Sequence, residues 1–160
     1  MKLVQMFSRL TAMAATAVIG FHSGNAVSAG NMLLTISGFP APIEVLRFST
    51  RVYRYGTAVN FEGAYFSAPE SGALPKEYAA LTSGQNLTSA QLQVLSPVTS
   101  QLLSDWTFTP VRISSVSVGR DNANSESTGT NFSLAFDKVV YRVYAADGSV
   151  AQQVCWGVGC

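Results

Sequence analysis

The sequence predicts a mainly β protein, a β-barrel of two sheets with about eight strands and one short flanking α-helix. Apolar and polar residues alternate with period two through most of the chain after residue 30, as in strands with one buried face. Proline, glycine, asparagine and aspartate punctuate these runs. Only one segment follows helical spacing, so the helix is expected to pack against the sheets.

Residues 1–29 are typical of a secretory signal. Lys2 and Arg9 precede an apolar run over residues 10–21, and Val27-Ser28-Ala29 fits a small-residue cleavage site. The apolar run of about twelve residues is too short to span a bilayer as a helix. We therefore expect export to the periplasm or the cell exterior, no membrane span in the mature protein, and a single domain over residues 30–160.

The composition limits the possible chemistry. His22 is the only histidine and lies in the predicted signal, so the mature protein has no imidazole for acid–base work or metal binding. Two of the ten basic residues also lie there, against nine acidic residues in all, so no basic excess favours nucleic acid. We predict no catalytic residues, no metal and no cofactor.

The first half of the mature chain shows three strands. Residues 32–36 form a short apolar run that ends at Ser37-Gly38, and Pro40 and Pro42 mark a turn. Residues 43–55 resume the alternation, with Leu46 and Phe48 on one face. Residues 60–67 form the third predicted strand.

The segment between Pro69 and Gly84 is the predicted helix. Leu74, Tyr78 and Leu81 recur at helical spacing, and Gly84 fits a carboxyl-terminal cap. A helix of about ten residues is not stable alone, so this apolar stripe should pack against a sheet.

The second half predicts strands over residues 87–95, 102–108 and 111–118. The apolar phase of the last of these slips at Ser114-Ser115, which indicates a β-bulge. A solvated loop over residues 119–130 follows.

The strand that follows this loop carries apolar side chains on both faces over residues 139–144, so both faces must be covered. Asp147-Gly148 predicts a tight hairpin turn before a last strand over residues 150–156.

Three motifs stand out in this half: Arg112-Ile113-Ser114-Ser115-Val116-Ser117, Ser133-Leu134-Ala135-Phe136-Asp137-Lys138-Val139 and Ala146-Asp147-Gly148-Ser149. In this order they resemble the closing stretch of the haemolysin-coregulated proteins (Hcp), the tube subunits of type VI secretion systems. The opening Met32-Leu33-Leu34-Thr35-Ile36-Ser37-Gly38 and the later Ile43-Glu44-Val45-Leu46 are also similar.

The resemblance implies a two-sheet barrel with a flanking helix, assembled into six-membered rings that stack as a tube. Such rings act as conduit, effector carrier and secreted product, not as enzymes. The implied partners are other copies of the chain, type VI components and effector cargo.

The chain departs from the Hcp pattern in three places. Tube subunits of the family generally lack a cleavable signal, whereas residues 1–29 predict one. Only Phe39-Pro40-Ala41-Pro42 separates the first two strand signals, where the family has a longer excursion that helps rings stack. The third departure is a cysteine pair near the end of the sequence.

Cys155 and Cys160 are predicted to form a disulfide, because an exported chain with an even cysteine count favours a bridge.

Arg47 and Arg51 share one strand face and are candidate contacts to a partner or subunit, with an ordinary solvated face as the alternative. The tyrosines at positions 53, 55, 141 and 144 are candidates to line a subunit or carbohydrate surface, with core packing as the alternative; of the two surfaces a subunit contact is favoured, and Tyr141 and Tyr144 are the residues selected for it.

The aspartates Asp105, Asp137 and Asp147 are interpreted as turn or strand-end residues that bond the local backbone rather than as acid and base. The leading hypothesis is thus an exported, non-enzymatic, self-associating Hcp-like protein. One alternative is a monomeric periplasmic or cell-surface binding module that keeps the barrel. The other is a small secreted hydrolase, which would need a nucleophile activated without histidine.

Overall fold

The computed structural model describes residues 31–55, 58–69, 74–120 and 128–160. The predicted signal over residues 1–29 lies outside the described residues, as does most of the predicted polar loop. No helix in the described ranges has the length and apolar character needed to cross a membrane.

The described chain contains eight strands and one helix, which confirms the predicted mainly β class. The elements, in chain order, are β1 Met32–Ile36, β2 Ile43–Glu44, β3 Arg47–Tyr55, β4 Ala58–Pro69, α1 Leu74–Ser83, β5 Ala90–Leu95, β6 Leu102–Arg120, β7 Thr128–Tyr144 and β8 Val150–Gly157.

The strands form one curled antiparallel sheet in the order β2-β1-β5-β6-β7-β4-β3, with β8 also paired to β7. The two predicted sheets are joined because β6 and β7 are long enough to belong to both. The amino-terminal part of β6 pairs with β5, while the carboxyl-terminal part of β7 pairs with β8. The amino-terminal part of β7 pairs with β4 instead. The paired strands β6 and β7 are therefore the central element that connects the two parts of the sheet.

The two ends of the strand order meet at the junction of β2 and β3. The Val45 amide donates to the Met32 carbonyl at 2.9 Å, and the Leu46 amide donates to the Ser67 carbonyl at 2.7 Å. The predicted strand over residues 43–55 thus starts on β1 and continues on β4. One short crossing ties together two strands that are far apart in the sheet, and so fixes its curl.

Strand β6 runs without interruption through Pro110, although two strands were predicted there. Pro110 is exposed and lies beyond the last residue of β6 that pairs with β5, which is Phe108. The predicted bulge is confirmed: the register against β7 shifts between Ile113 and Ser115. The hydroxyl oxygens of Ser114 and Ser115 lie 2.7 and 2.6 Å from that of Ser133, which keeps the bulged backbone attached to β7.

The core lies inside the curl and is built by alternation. Leu34, Leu92, Phe108 and Leu134 are fully buried, while their neighbours along each strand are more exposed. Burial of one such side chain stabilises the fold by about 1.5 to 3 kcal/mol. Aromatic contacts run through the core, with the Phe66 and Phe132 rings stacked at 5.1 Å.

Helix α1 packs on β6 and ends where the sequence predicts, at a glycine with positive φ, Gly84 at 62°. Its contact face matches the predicted stripe only in part, since Leu81 packs against the core as predicted but Tyr78 does not. Glu77 and Ala80 are buried, whereas Tyr78 is 41 % exposed. Among the described residues the Glu77 carboxylate oxygens have no hydrogen-bond partner, and burial raises the pKa of Glu77.

Candidate interaction surface

The outward face of β3 carries the first pair of predicted contact residues. Strand alternation turns its odd-numbered side chains to solvent, and the tyrosine at its end, Tyr55, is 82 % exposed. These side chains are Arg47, Ser49, Arg51, Tyr53 and Tyr55. With Glu62 and Tyr65 of the adjacent β4 they form what we call the β3–β4 face.

The two arginines of the β3–β4 face differ in their partners. The Arg51 guanidinium lies 3.2 Å from the Glu62 carboxylate, and both side chains remain largely in water, at 71 % and 42 % exposure. Arg47 forms no ion pair with any residue that the structure describes. Arg47 is therefore the more available of the two for an anionic group on a partner.

A bulge in β4 shapes the β3–β4 face. The register with β3 shifts between Thr50 and Val52, opposite Gly63, whose φ is 95°. The Thr50 hydroxyl donates to the Gly63 carbonyl at 2.8 Å. A side chain at Gly63 would place its Cβ 3.0 Å from the Leu134 carbonyl oxygen, so glycine is needed both for its backbone angle and for this close approach.

The second predicted pair, Tyr141 and Tyr144, does not lie on the β3–β4 face. The Tyr141 ring stacks on Trp106 with centroids 4.3 Å apart, and both residues are at least partly buried. The Tyr144 hydroxyl donates to the Asp105 carboxylate at 3.3 Å. The structure thus separates the predicted contact residues into two regions: the arginines lie on the β3–β4 face with Tyr53 and Tyr55, whereas Tyr141 and Tyr144 lie on β7.

Asp105 is the centre of a polar cluster that the sequence interpretation missed. The sequence interpretation places Asp105 near a turn or strand end, whereas it lies inside β6 and is only 1 % exposed. The Gln91 amide donates to its Oδ2 at 2.7 Å, and the Arg142 guanidinium lies 3.3 Å from the same oxygen. Arg142 also donates to the Gln153 side chain at 3.0 Å.

This Asp105 cluster has the chemistry of a structural element. A carboxylate that accepts from an amide, a guanidinium and a phenol has its lone pairs occupied, so it is poorly placed to accept a proton from a substrate. The cluster joins β5, β6, β7 and β8 across one sheet surface. The available sequence signal was a charged residue, Asp105, within a predicted strand. The sequence does not show that Arg142 is its partner, because that depends on the register between β6 and β7.

The other predicted residues are placed as follows. Cys155 and Cys160 form the predicted disulfide. Asp147 occupies the predicted β7–β8 turn, where the Ser149 hydroxyl donates to its carboxylate at 2.6 Å and lowers the pKa of Asp147. Asp137 lies exposed within β7 rather than in a turn.

In the described ranges no group of three or more acidic, cysteine or histidine residues is arranged to hold a metal ion.

Comparison with known proteins gives a likeness at the level of structure. No model of a known protein family matches the sequence, and no curated protein does either. Solved structures do match. Hcp1 from Salmonella typhimurium superposes with a TM-score of 0.71 at 18 % identity, covering 81 % of this chain and 95 % of the Salmonella chain.

Two further structures match in the same way. A type VI secretion system effector from Yersinia pestis gives a TM-score of 0.69 at 15 % identity, covering 80 % of this chain and all of the Yersinia chain. The secreted protein Hcp3 from Pseudomonas aeruginosa gives 0.61 at 14 % identity, covering 81 % of this chain and 99 % of that one. The chain therefore has the Hcp-like fold, as the sequence resemblance predicted.

Proposed function

We propose that this protein is an exported, non-enzymatic Hcp-like component related to type VI secretion that self-associates into rings. The observation that carries the proposal is the match over nearly the full length of proteins described as type VI secretion proteins and Hcp. Fold alone does not determine function, so the argument also needs surfaces suited to assembly.

A closed ring of identical subunits needs two different, complementary surfaces on each subunit. One candidate is the β3–β4 face, which combines exposed tyrosines with Arg47. The other is the outer edge of β8, which among the described strands pairs with β7 alone and exposes Val150 and Val154. Tyrosine and arginine are enriched in protein interfaces. The two surfaces lie on different strands, as head-to-tail contact requires.

Light scattering and negative-stain electron microscopy of the full-length gene product, expressed with its leader and purified under oxidising conditions, test the assembly. The expected result is rings of about six subunits. A stable monomer at every soluble concentration would contradict the proposal.

A variant and a matched control locate the contact. Replacing Tyr53 and Tyr55 together by serine should shift the population toward monomer. Tyr78→Ser on α1 should leave the rings intact, because Tyr78 is as exposed as Tyr53, at 41 % against 44 %, but lies outside the β3–β4 face. Rings that persist in the Tyr53 and Tyr55 variant as fully as in the Tyr78→Ser control would exclude this face from the contact.

Export is a separate part of the proposal. Cleavage after Ala29 would leave Gly30 as the first residue of the mature chain. Amino-terminal sequencing of protein from the periplasmic fraction should therefore begin at Gly30. An intact leader on protein confined to the cytoplasm would contradict it.

One observation favours the alternative of a monomeric binding module with the same fold. The connection between β1 and β2 is tight: the Phe39 amide donates to the Ile36 carbonyl at 3.0 Å, and the Phe39 ring packs against the core. No projecting loop is formed here to grip a second ring. A functional monomer that binds a ligand in the periplasm would fit this alternative.

A further inference from the structure

The outer edge of β7 has a gap between its two neighbours on that side. Pairing with β4 ends at Leu134, and pairing with β8 begins at Lys138. A pocket of about 480 Å³ opens at this gap, which we call the β7 notch. That volume lies within the range of about 300 to 1,000 Å³ typical of small-molecule sites.

The walls of the β7 notch are mostly apolar, and their aromatic side chains pack against rings of the core. Phe61 and Trp156 supply aromatic surface, and the disulfide between Cys155 and Cys160 forms another wall. The Phe61 ring contacts Phe136 at 5.5 Å, and the Trp156 ring stacks with Trp106 at 6.4 Å. The aromatic surfaces are thus anchored to the core rather than free to collapse into the pocket.

The last turn of the described chain is tied closely to β7. The Val158 amide donates to the Asp137 carbonyl at 3.3 Å, and the Lys138 ammonium donates to the Gly159 carbonyl at 3.0 Å. Gly157 has a φ of 108°, and a Cβ there would collide with the Asp137 carbonyl oxygen. The notch keeps its shape because this segment cannot move away without breaking these contacts.

Of the described residues that line the β7 notch, Asp137 alone has a titratable side chain. Asp137 is exposed, and within the described ranges its carboxylate forms neither an ion pair nor a hydrogen bond. The neighbouring Lys138 is engaged with Gly159. Aromatic walls beside an unpaired carboxylate favour a cation and disfavour an anion.

We propose that the β7 notch binds a cationic group carried on an apolar stem, an alkylammonium or a guanidinium. The stem would lie against Phe61 and Trp156, and the charge would lie near Asp137. Either a free amine or the side chain of a lysine or arginine in a polypeptide could present this group. The site lies within one chain, so the proposal holds whether or not the protein forms rings.

The test uses the full-length oxidised protein and three probes: n-pentylamine, n-pentanol and the blocked tripeptide acetyl-Gly-Lys-Gly-amide. The sequence has only two tryptophans, so the indole NMR signals of Trp106 and Trp156 can be followed separately. Pentylamine should shift the Trp156 signal saturably and bind about threefold to fivefold tighter than pentanol. Absence of saturation with all three probes, or equal affinity for the amine and the alcohol, would overturn the proposal.

The tripeptide distinguishes the two sources of the cation. Tighter binding of the peptide than of pentylamine assigns the site to a polypeptide ligand, whereas weaker binding assigns it to free amines. The site recognises a cation on an apolar stem whichever of the two, tripeptide or pentylamine, binds more tightly, provided that pentylamine binds more tightly than pentanol.

A charge variant and its control test the role of Asp137. Asp137→Asn should remove the preference for pentylamine over pentanol and leave pentanol binding unchanged. Glu44→Gln, an equal change of charge at an exposed residue of β2 outside the notch, should keep the preference. If both variants keep the preference, the role of Asp137 is disproved. Reduction of the disulfide between Cys155 and Cys160 should weaken the binding of all three probes, because it opens one wall of the notch.

Discussion

Two ion pairs of nearly equal length lie in opposite halves of the sheet. Arg142 and Asp105 are 3.3 Å apart, and Arg51 and Glu62 are 3.2 Å apart. Asp105 is almost completely buried and shares its oxygens with other donors, whereas Arg51 and Glu62 are solvated on the β3–β4 face. Separation therefore does not decide what an ion pair contributes to stability; burial and shared partners do.

The same contrast holds for the sheet around each pair. In the half that contains β5 to β8, Trp106 lies in an aromatic cluster on one surface while Asp105 organises the opposite surface. In the β3–β4 half, Phe48 and Phe66 face the core and the other surface is open to water. Side-chain contacts thus organise both surfaces of the first half around Trp106 and Asp105, whereas the β3–β4 half offers a solvated face that a partner can cover.

The largest expected effect concerns aromatic residues of the two halves. Trp106→Ala should lower the free energy of unfolding by about 3 to 5 kcal/mol, because it removes the centre of the aromatic cluster and leaves a cavity. Tyr55→Ala, at an exposed position, should change it by less than about 0.5 kcal/mol. Urea unfolding followed by circular dichroism measures both. Similar losses of unfolding free energy would show that the β3–β4 face is structurally as important as the aromatic cluster around Trp106.

The next effect compares the two ion pairs directly. Asp105→Asn should cost about 2 kcal/mol, because Arg142 loses its charged partner in a buried site, although water still reaches part of the guanidinium. Glu62→Gln should cost less than about 0.5 kcal/mol. Double-mutant cycles with the corresponding arginines measure each coupling energy. A coupling for the exposed pair equal to that of the buried pair would contradict the comparison.

The smallest expected effect is a gain in stability at α1. Burial raises the pKa of Glu77 above its ordinary value of 4.5, so the ionised form destabilises the folded state at neutral pH. Glu77→Gln should therefore stabilise the protein at neutral pH. The advantage should shrink as pH falls through the folded-state pKa and vanish below the ordinary value, where the carboxyl is protonated in both states.

Unfolding free energies at about pH 8 and about pH 5 measure this difference. Glu44→Gln on exposed β2 is the matched control and should show no comparable change with pH. A constant difference between Glu77→Gln and the unchanged protein at both pH values would rule out the ionisation argument.

Features set by neighbouring residues were predictable from the sequence. The helix cap at Gly84, the bulge at Ser114 and the turn at Asp147-Gly148 all follow from local backbone preference or from a shift of apolar phase. The disulfide between Cys155 and Cys160 is also local, since five positions separate the two cysteines. Short-range chemistry decides each of these.

Features that depend on strand register were not predictable. Pro110 suggested a break, but the proline lies past the end of the pairing between β5 and β6, and β6 continues. The helix buries Glu77 rather than Tyr78 because its rotation is set by the sheet beneath it. The Asp105 cluster requires Asp105 of β6 to lie opposite Arg142 of β7, which no local pattern specifies. The candidate contact residues were separated for the same reason.

The pairing of β7 with β4 bears on how fast the protein folds. Ala64 pairs with Leu134, and Met32 pairs with Val94, so much of the sheet joins residues that are distant along the chain. The β6–β7–β8 meander pairs consecutive strands and pays less loop-closure entropy. We expect the meander to form early and the amino-terminal strands to dock late, with an overall folding time on the order of milliseconds to seconds.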